Sequence, residues 1–252
     1  MQKYVLAPFF LGALAICVHA NTTNGAASAS DGMTNHVQVW QDSLSFGLTL
    51  TRGNSDTLLT DGKFSTHRNN LTNEVTASIE GAYGEDQSVK NTELLHGIGQ
   101  YNHLFTERVY AYGMGDAFHD GIADVNYRLT ASPGAGYYFL KDKQTSLAGE
   151  AGPSAVFEKL DGGESQYYGA ARLAERFEHK WDAHTRIWEN VEFIPQFDME
   201  NNFLANAEIG AEASLTRRIS LQTVLQDNFI NVPASGHENN DLKLISGLVY
   251  KF

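Results

Sequence analysis

The chain of 252 residues has little cysteine, proline or positive charge. Its single cysteine is Cys17, so a mature protein that begins after it cannot form a disulfide, a thiolate zinc site or a cysteine nucleophile. The 18 lysines and arginines stand against 30 acidic residues, and this net charge of -12 disfavours nucleic-acid binding. Only 5 prolines accompany 23 glycines, which excludes a proline-rich linker and suits a sheet with tight turns.

Long hydrophobic runs are also missing, apart from one near the start. Residues 4–18 are apolar and follow Lys3, and Ala20 supplies a small residue before a cleavage point. This run is shorter than the ~20 residues that a membrane-spanning helix needs, so residues 1–20 are predicted to be a secretory signal peptide. A retained signal anchor and lipidation at Cys17 are the alternatives, although Ile16 is bulky for a lipoprotein cleavage motif.

The remainder divides into a leader and one domain. Residues 21–41 begin with small polar residues and are predicted to be a flexible leader, whereas 42–252 are uniform in texture. Apolar and polar residues alternate throughout that domain, as in Leu44 and Phe46 against Ser43 and Ser45. Twelve strands are predicted, at 42–52, 55–67, 71–84, 90–105, 107–119, 124–139, 143–158, 164–179, 182–198, 201–216, 218–231 and 239–252.

Many of these strands are long enough to cross a bilayer, their number is even, and short turns alternate with longer loops. Together these features predict an all-β, antiparallel transmembrane barrel of about 12 strands in the outer membrane of a Gram-negative cell. The soluble alternative is a lipocalin-like or sandwich protein of the periplasm. Aromatic residues near strand ends on the apolar face favour the membrane barrel: Tyr83, Tyr110, Tyr112, Tyr137, Phe139, Phe177, Phe193, Phe203, Phe229, Tyr250 and Phe252.

Three residues fit this alternation poorly. Pro133 lies inside a predicted strand, where proline removes a ladder donor, so we expect a β-bulge there. Glu175 and Glu189 share the parity of apolar neighbours, and we expect a bulge or a parity slip in the eighth and ninth strands.

The polar face predicts a charged lumen with nine acids and six bases. These residues are Asp61, Lys63, Glu74, Glu80, Arg128, Glu150, Glu158, Arg172, Arg176, Glu178, Arg186, Glu192, Glu208, Glu212 and Lys243. If water fills the lumen, the charges line a narrow diffusion channel weighted toward cations. If the charges pair across a narrow lumen, the barrel is structural and does not conduct.

Several short motifs resemble one known family. They are TRGNSDT at 51–57, YGED at 83–86, ERVYAYG at 107–113, GAGY at 134–137, EAGP at 150–153 and GLVYKF at 247–252. In this order they resemble the YdiY-like salt-induced outer membrane protein family. The resemblance implies an outer-membrane barrel of unknown activity with a link to salt or osmotic response, and it transfers no catalytic residue. The chain departs from the family pattern after Pro153.

Catalytic and cofactor motifs are not apparent. The nine histidines form neither an HExxH motif nor a paired-histidine metal pattern, and the sequence has no nucleotide-binding glycine motif. We therefore predict no cofactor, no metal site and no enzymatic activity, with a lipid-modifying enzyme as the remote alternative. The predicted partners are outer-membrane lipids, the barrel-assembly machinery and small ions or solutes, but not nucleic acid.

The carboxyl terminus resembles a barrel-assembly signal. Phe252 ends the chain, and Leu244, Leu248 and Tyr250 share its face. Because an extended segment can add to a sheet edge through its backbone, such a strand can be recognised by its alternate side chains. The alternative is that Phe252 only anchors the last strand at the membrane interface.

Overall fold

The computed structural model describes residues 40–51, 57–199, 202–234 and 236–252, with the backbone alone at 48–51 and at 57. The predicted signal peptide at 1–20 lies outside the described residues, as do the leader up to residue 39 and most of the TRGNSDT motif. Within the described ranges, no helix is long and apolar enough to cross a membrane.

Twelve antiparallel strands form one closed barrel, in which each strand pairs with the next and the first pairs with the last. The strands are β1 (Gln41–Thr51), β2 (Thr57–Asn69), β3 (Asn73–Asp86), β4 (Val89–Leu104), β5 (Val109–Asp120), β6 (Val125–Lys141), β7 (Thr145–Leu160), β8 (Ser165–Lys180), β9 (Thr185–Pro195), β10 (Phe203–Ser214), β11 (Ile219–Ile230) and β12 (Asn240–Lys251). The predicted twelve-stranded barrel is confirmed, and every predicted strand end lies within three residues of the observed one.

The two ends of the barrel differ in their connections. At one end, here called the turn end, β2–β3, β4–β5, β6–β7, β8–β9 and β10–β11 are joined by three or four residues. Both chain termini of the barrel, Gln41 and Phe252, lie at this end. The opposite end, here called the loop end, carries the longer connections 196–202 and 231–239.

The barrel is apolar outside and polar inside. Outward positions such as Leu44, Ile79 and Leu244 are exposed although they are apolar. Inward positions such as Glu80 and Arg172 are buried although they are charged. This arrangement is the reverse of a soluble barrel and is typical of a barrel whose outer surface faces lipid.

Pro133 causes no β-bulge, so that prediction is wrong. The pairing of β6 with β7 has the same register on both sides of Pro133, and its irregularities lie nearer the ends of β6. Gly152 on β7 explains the difference, because a Cβ atom at Gly152 would overlap the Pro133 carbonyl oxygen. The two backbones therefore approach closely where the proline cannot donate, and no residue is inserted.

Glu175 and Glu189 lie on the outer face without any register shift, so the predicted bulge or slip is wrong. Glu175 is exposed and pairs with Val191, and Glu189 pairs with the exposed Ile209. A one-residue slip would reverse every side chain of the strand. It would turn Arg172 away from its ion pairs in the lumen, which is why the register is kept.

Candidate functional site

The most densely connected part of the lumen surrounds Glu150 of β7, whose side chain is fully buried. One carboxylate oxygen accepts hydrogen bonds from Arg172 and Arg176, both at 2.8 Å. The other accepts from Gln100 at 2.7 Å and from the Tyr110 hydroxyl at 2.8 Å. Arg176 also donates to the Gln100 side-chain oxygen, and this contact joins β8 to β4 across the lumen. The cluster narrows the lumen toward the turn end.

Two tyrosines contribute to this cluster, contrary to the predicted outer aromatic belt. Tyr110 and Tyr112 are only 1% and 4% exposed and point inward. Glycines on the facing strand make room for them, because a Cβ atom at Gly136 or Gly134 would overlap the respective ring. The inward Asp116 shares the parity of both tyrosines, and that signal in the sequence could have placed them correctly.

Two further clusters stand near the turn end. Glu74 accepts hydrogen bonds from the Tyr138 hydroxyl at 2.5 Å, Lys141 at 3.0 Å and Asn102 at 3.1 Å. A second buried carboxylate, that of Glu212, is paired with Arg186 at 2.7 Å and with Lys251.

Arg186 links this region to a further carboxylate. It pairs with Glu178 at 3.1 Å and lies over the Trp188 ring at 4.8 Å. The cations at this end of the lumen are therefore neutralised by carboxylates within the barrel.

Lys63 connects opposite sides of the barrel at mid-height. Its ammonium nitrogen lies 3.3 Å from Glu80 on the adjacent strand and 3.8 Å from Glu208 on β10. Glu208 also accepts from the Trp188 indole at 2.7 Å and from Gln226 at 3.1 Å. Because β1, β12 and β11 separate β2 from β10, this contact bridges the lumen.

The loop end is narrowed by a second set of contacts. Lys243 lies 3.5 Å from Asp120 on the far side of the barrel, and His237 lies 2.7 Å from Asp124. Below them, five buried apolar residues pack together inside the barrel: Val156, Tyr168, Ala170, Ile194 and Leu204. Arg128 and Glu158 pair at 2.8 Å on the same side.

A cavity of about 350 Å³ occupies the lumen between these two regions. The inward charged residues on its wall are the acids Glu80, Asp116, Glu192, Glu208 and Asp241 and the bases Lys63, Arg128, Arg172 and Arg176. His96 also lines the cavity and contacts Asp116 at 2.5 Å. Arg172 forms an ion pair with Glu192 at 2.5 Å on this wall. Asp61 lies on a smaller second cavity, whose wall also includes Lys63 and Glu80.

The structure thus places the predicted lumen residues inside the barrel. They lie at three heights along its axis, namely near the turn end, at mid-height and near the loop end. Within the residues that the structure describes, no group of three histidine, cysteine or acidic side chains could hold a metal ion. What the lumen offers chemically is a cavity lined by both charged and apolar side chains, with a small excess of inward carboxylates.

Several solved structures are similar to this chain at very low sequence identity. The NanC porin is 7% identical, with a TM-score of 0.52 over 83% of this chain and 98% of that one. The KdgM porin is 9% identical, with a TM-score of 0.45 over 85% and 99% of the two chains. An outer membrane channel from Pseudomonas putida F1 is 11% identical, with a TM-score of 0.46 over 90% and 100%. The NanC porin therefore has the same fold, and its identity is too low to transfer a ligand.

No curated protein matches the chain. A family model described as "Protein of unknown function, DUF481" matches residues 44–252, which is nearly the whole barrel. The chain therefore belongs to the DUF481 family.

Proposed function

We propose that the protein is an outer-membrane barrel with a narrow conduit for small ions or solutes. The observation that carries this proposal is a cavity of about 350 Å³ inside a closed barrel, with nine inward charged side chains on its wall. The apolar outer surface and the fold shared with the NanC porin support a location in the outer membrane. The cross-lumen contacts at both ends make the conduit much narrower than that of wide porins.

The conduit is expected to favour cations weakly. Five inward carboxylates on the cavity wall exceed four lysine and arginine side chains, and charged side chains lining a pore set its ion selectivity. Most of these charges are paired with opposite charges, so the net electrostatic field in the conduit is small. Glu208 is the best residue for a test, because it lies at mid-height on the cavity wall.

Recordings from the purified barrel in a planar bilayer test both statements. We expect stable conductance steps and, in a salt gradient, a reversal potential that indicates cation preference. Glu208→Gln should lower this preference. Glu189→Gln removes the same charge from the outer face and should not, so equal effects of the two variants would contradict the proposal.

A non-conducting structural barrel is the second candidate, and the contacts across the lumen favour it. Lys63 reaches Glu208 and Lys243 reaches Asp120, each from the opposite wall. If the lumen stays closed by such pairs, the protein will be a heat-modifiable monomer that is silent in the same bilayer recordings. The bilayer recordings therefore distinguish the conducting barrel from the non-conducting one.

We further propose that the barrel is not an enzyme. The nearest arrangement to a nucleophile and base on the outer face is the Thr145 hydroxyl, 2.9 Å from His179. A lipid-modifying enzyme would hydrolyse or transfer acyl chains of phospholipids, and we expect neither reaction. Lipolysis that is lost in His179→Ala would overturn this proposal.

Export and regulation remain proposals that rest on the sequence. We propose that residues 1–20 direct export and are removed, which the mass of the mature protein from membrane fractions would test. The resemblance to the salt-induced YdiY-like family suggests that expression responds to salt or osmotic stress. Transcript levels at low and high salt test that link, and equal levels would contradict it.

A further inference from the structure

Exposed bases are concentrated at the turn end of the barrel. Three of its five connections carry one or two of them, and Lys180 ends β8 directly before a fourth connection. No comparable set lies at the loop end of the described chain. We call the following residues the basic rim: Arg108, Lys143, Lys180, Arg217 and Arg218. The loop end instead exposes Asp86, Asp161, Glu164, Asp198 and Glu238. The turn end also exposes the acids Glu107, Asp142 and Asp182, so bases exceed acids there, whereas acids exceed bases at the loop end.

Two acidic residues of the rim turns bind their own backbone rather than the neighbouring bases. Asp142 accepts hydrogen bonds from the backbone N–H groups of Gln144 at 2.8 Å and Thr145 at 2.6 Å. Asp182 accepts from the backbone N–H groups of the residues two and three positions later, both at 2.7 Å. These bonds lower the pKa of both carboxyls and keep them directed into their turns.

Four bases of the rim have no counter-ion among the described residues. No carboxylate in the described part of the chain lies within 4.0 Å of the charged groups of Arg108, Lys143, Arg217 or Arg218. This contrasts with the lumen, where each of the bases Arg172, Arg186 and Lys63 is paired. Unpaired surface cations leave a positive field that an external anion can use.

The rim lies at the depth of aromatic residues on the outer surface. Phe105, Trp181 and Phe252 are exposed at this end, between 62% and 72%. The Arg218 guanidinium lies 3.4 Å from the hydroxyl of Tyr250, which is also outward. Because aromatic side chains of this kind lie at the headgroup level, the neighbouring bases are placed to reach lipid phosphates.

We propose that the basic rim binds anionic phospholipids, of the phosphatidylglycerol type, in the leaflet that faces the turn end. This inference rests on the proposed membrane location. The chemistry is attraction between unpaired lysine or arginine side chains and headgroup phosphates, so it requires no specific pocket and weakens as salt increases. The acidic loop end should not attract the same lipids.

Quenching of Trp181 fluorescence by brominated lipids tests the proposal, in a Trp40→Phe background so that Trp181 is the one outward tryptophan. Trp188 points into the lumen and is shielded from lipid. The full chain is refolded into vesicles with either brominated phosphatidylglycerol or brominated phosphatidylcholine. We expect the phosphatidylglycerol to be preferred several-fold at low salt, with the preference disappearing at high salt.

Matched double variants locate the effect. Lys143→Gln with Arg217→Gln removes one unpaired base from each of the two turns beside Trp181, and should reduce the several-fold preference to nearly equal quenching by the two lipids. Lys90→Gln with Lys159→Gln removes the same charge near the loop end and should leave it unchanged. Insertion with equal quenching by both lipids, or equal effects of the two double variants, would overturn this inference alone. Failure of the parent chain to insert would overturn the membrane location as well.

Discussion

At the scale of single residues, a charged side chain on the outer face interrupts the apolar surface that would contact lipid. Glu175 lies between Leu173 and Phe177, which are apolar and share its parity. Leu173 is 50% exposed, so this part of β8 faces outward. A carboxylate in such a place costs stability, because a charged side chain on the lipid face is poorly solvated.

Replacing this carboxylate should stabilise the barrel. We expect Glu175→Leu to raise the free energy of unfolding by less than about 2 kcal/mol, because an acid on the lipid face costs less than a base. Glu178→Leu, on the inner face of the same strand, should lower it, because Lys180 loses its carboxylate partner and Arg186 keeps only Glu212. Urea unfolding in lipid vesicles measures both, and a stabilising Glu178→Leu would show that the facing of β8 is wrong.

The turn carboxylate of Asp142 should make stability depend on pH. Its backbone hydrogen bonds hold its pKa below the ordinary value of 3.8. Its contribution is therefore present above that value and is lost as the pH falls through the lower pKa of the folded state. Asp142→Ala should reduce the urea midpoint at neutral pH, and the difference from the parent should vanish in strong acid.

The control for this prediction is Glu107→Ala, at an exposed acid in another short turn. Its midpoint should follow that of the parent at all pH values. A pH-independent loss in Asp142→Ala would mean that the side chain acts by packing rather than by its charge.

At the scale of elements, we propose that the last strand has a role beyond the finished barrel, as a signal for its assembly. The outward residues Leu244, Leu248 and Tyr250 of β12 are exposed, and the Phe252 ring contacts the Tyr250 ring edge-on at 5.2 Å. Phe252 donates one backbone hydrogen bond to the described part of the barrel, to the Asp42 carbonyl at 3.1 Å. Its loss should therefore affect the finished barrel little.

Deleting Phe252 should leave unfolded chain in the periplasm while the purified variant still folds in detergent, if the strand is recognised by the assembly machinery. Heat-modifiable migration of membrane fractions measures this. Phe139→Ala removes another exposed aromatic residue of the turn end and should assemble normally. Normal membrane levels of the deletion variant would assign Phe252 to interfacial anchoring instead.

The strands themselves could be predicted because their signal is local. Alternation with period two, interrupted by polar turns, gives each strand and its ends without knowledge of its neighbours. The errors arose where a neighbouring strand decides the outcome. Tyr110 faces the lumen because Gly136 opposite makes room for it, and Pro133 needs no bulge because Gly152 allows close approach.

At the scale of the whole molecule, contacts between opposite walls decide how open the lumen is. Lys243 on β12 and Asp120 on β5 meet at 3.5 Å near the loop end, although five strand-to-strand steps separate them around the barrel. Such a pair holds the two walls together at that level. The conductance of the proposed conduit should therefore depend on it.

Lys243→Ala should increase single-channel conductance, because the contact across the loop end is removed. Lys159→Ala, which removes a base of β7 without a partner across the lumen among the described residues, should leave conductance unchanged. Planar bilayer recordings measure both. If Lys243→Ala conducts as the parent does, the lumen is limited elsewhere, with the Glu150 cluster as the remaining candidate.

The sequence by itself determined an even set of twelve long strands with two chemically different faces, and hence the barrel. It also predicted which charged residues share the polar face. The tertiary structure decided that the polar face is inside, and which acid pairs with which base. The physical reason is that alternation is a local property, unchanged by reversing inside and outside. Pairs such as Lys63 with Glu208 exist only because closure of the barrel brings distant strands together.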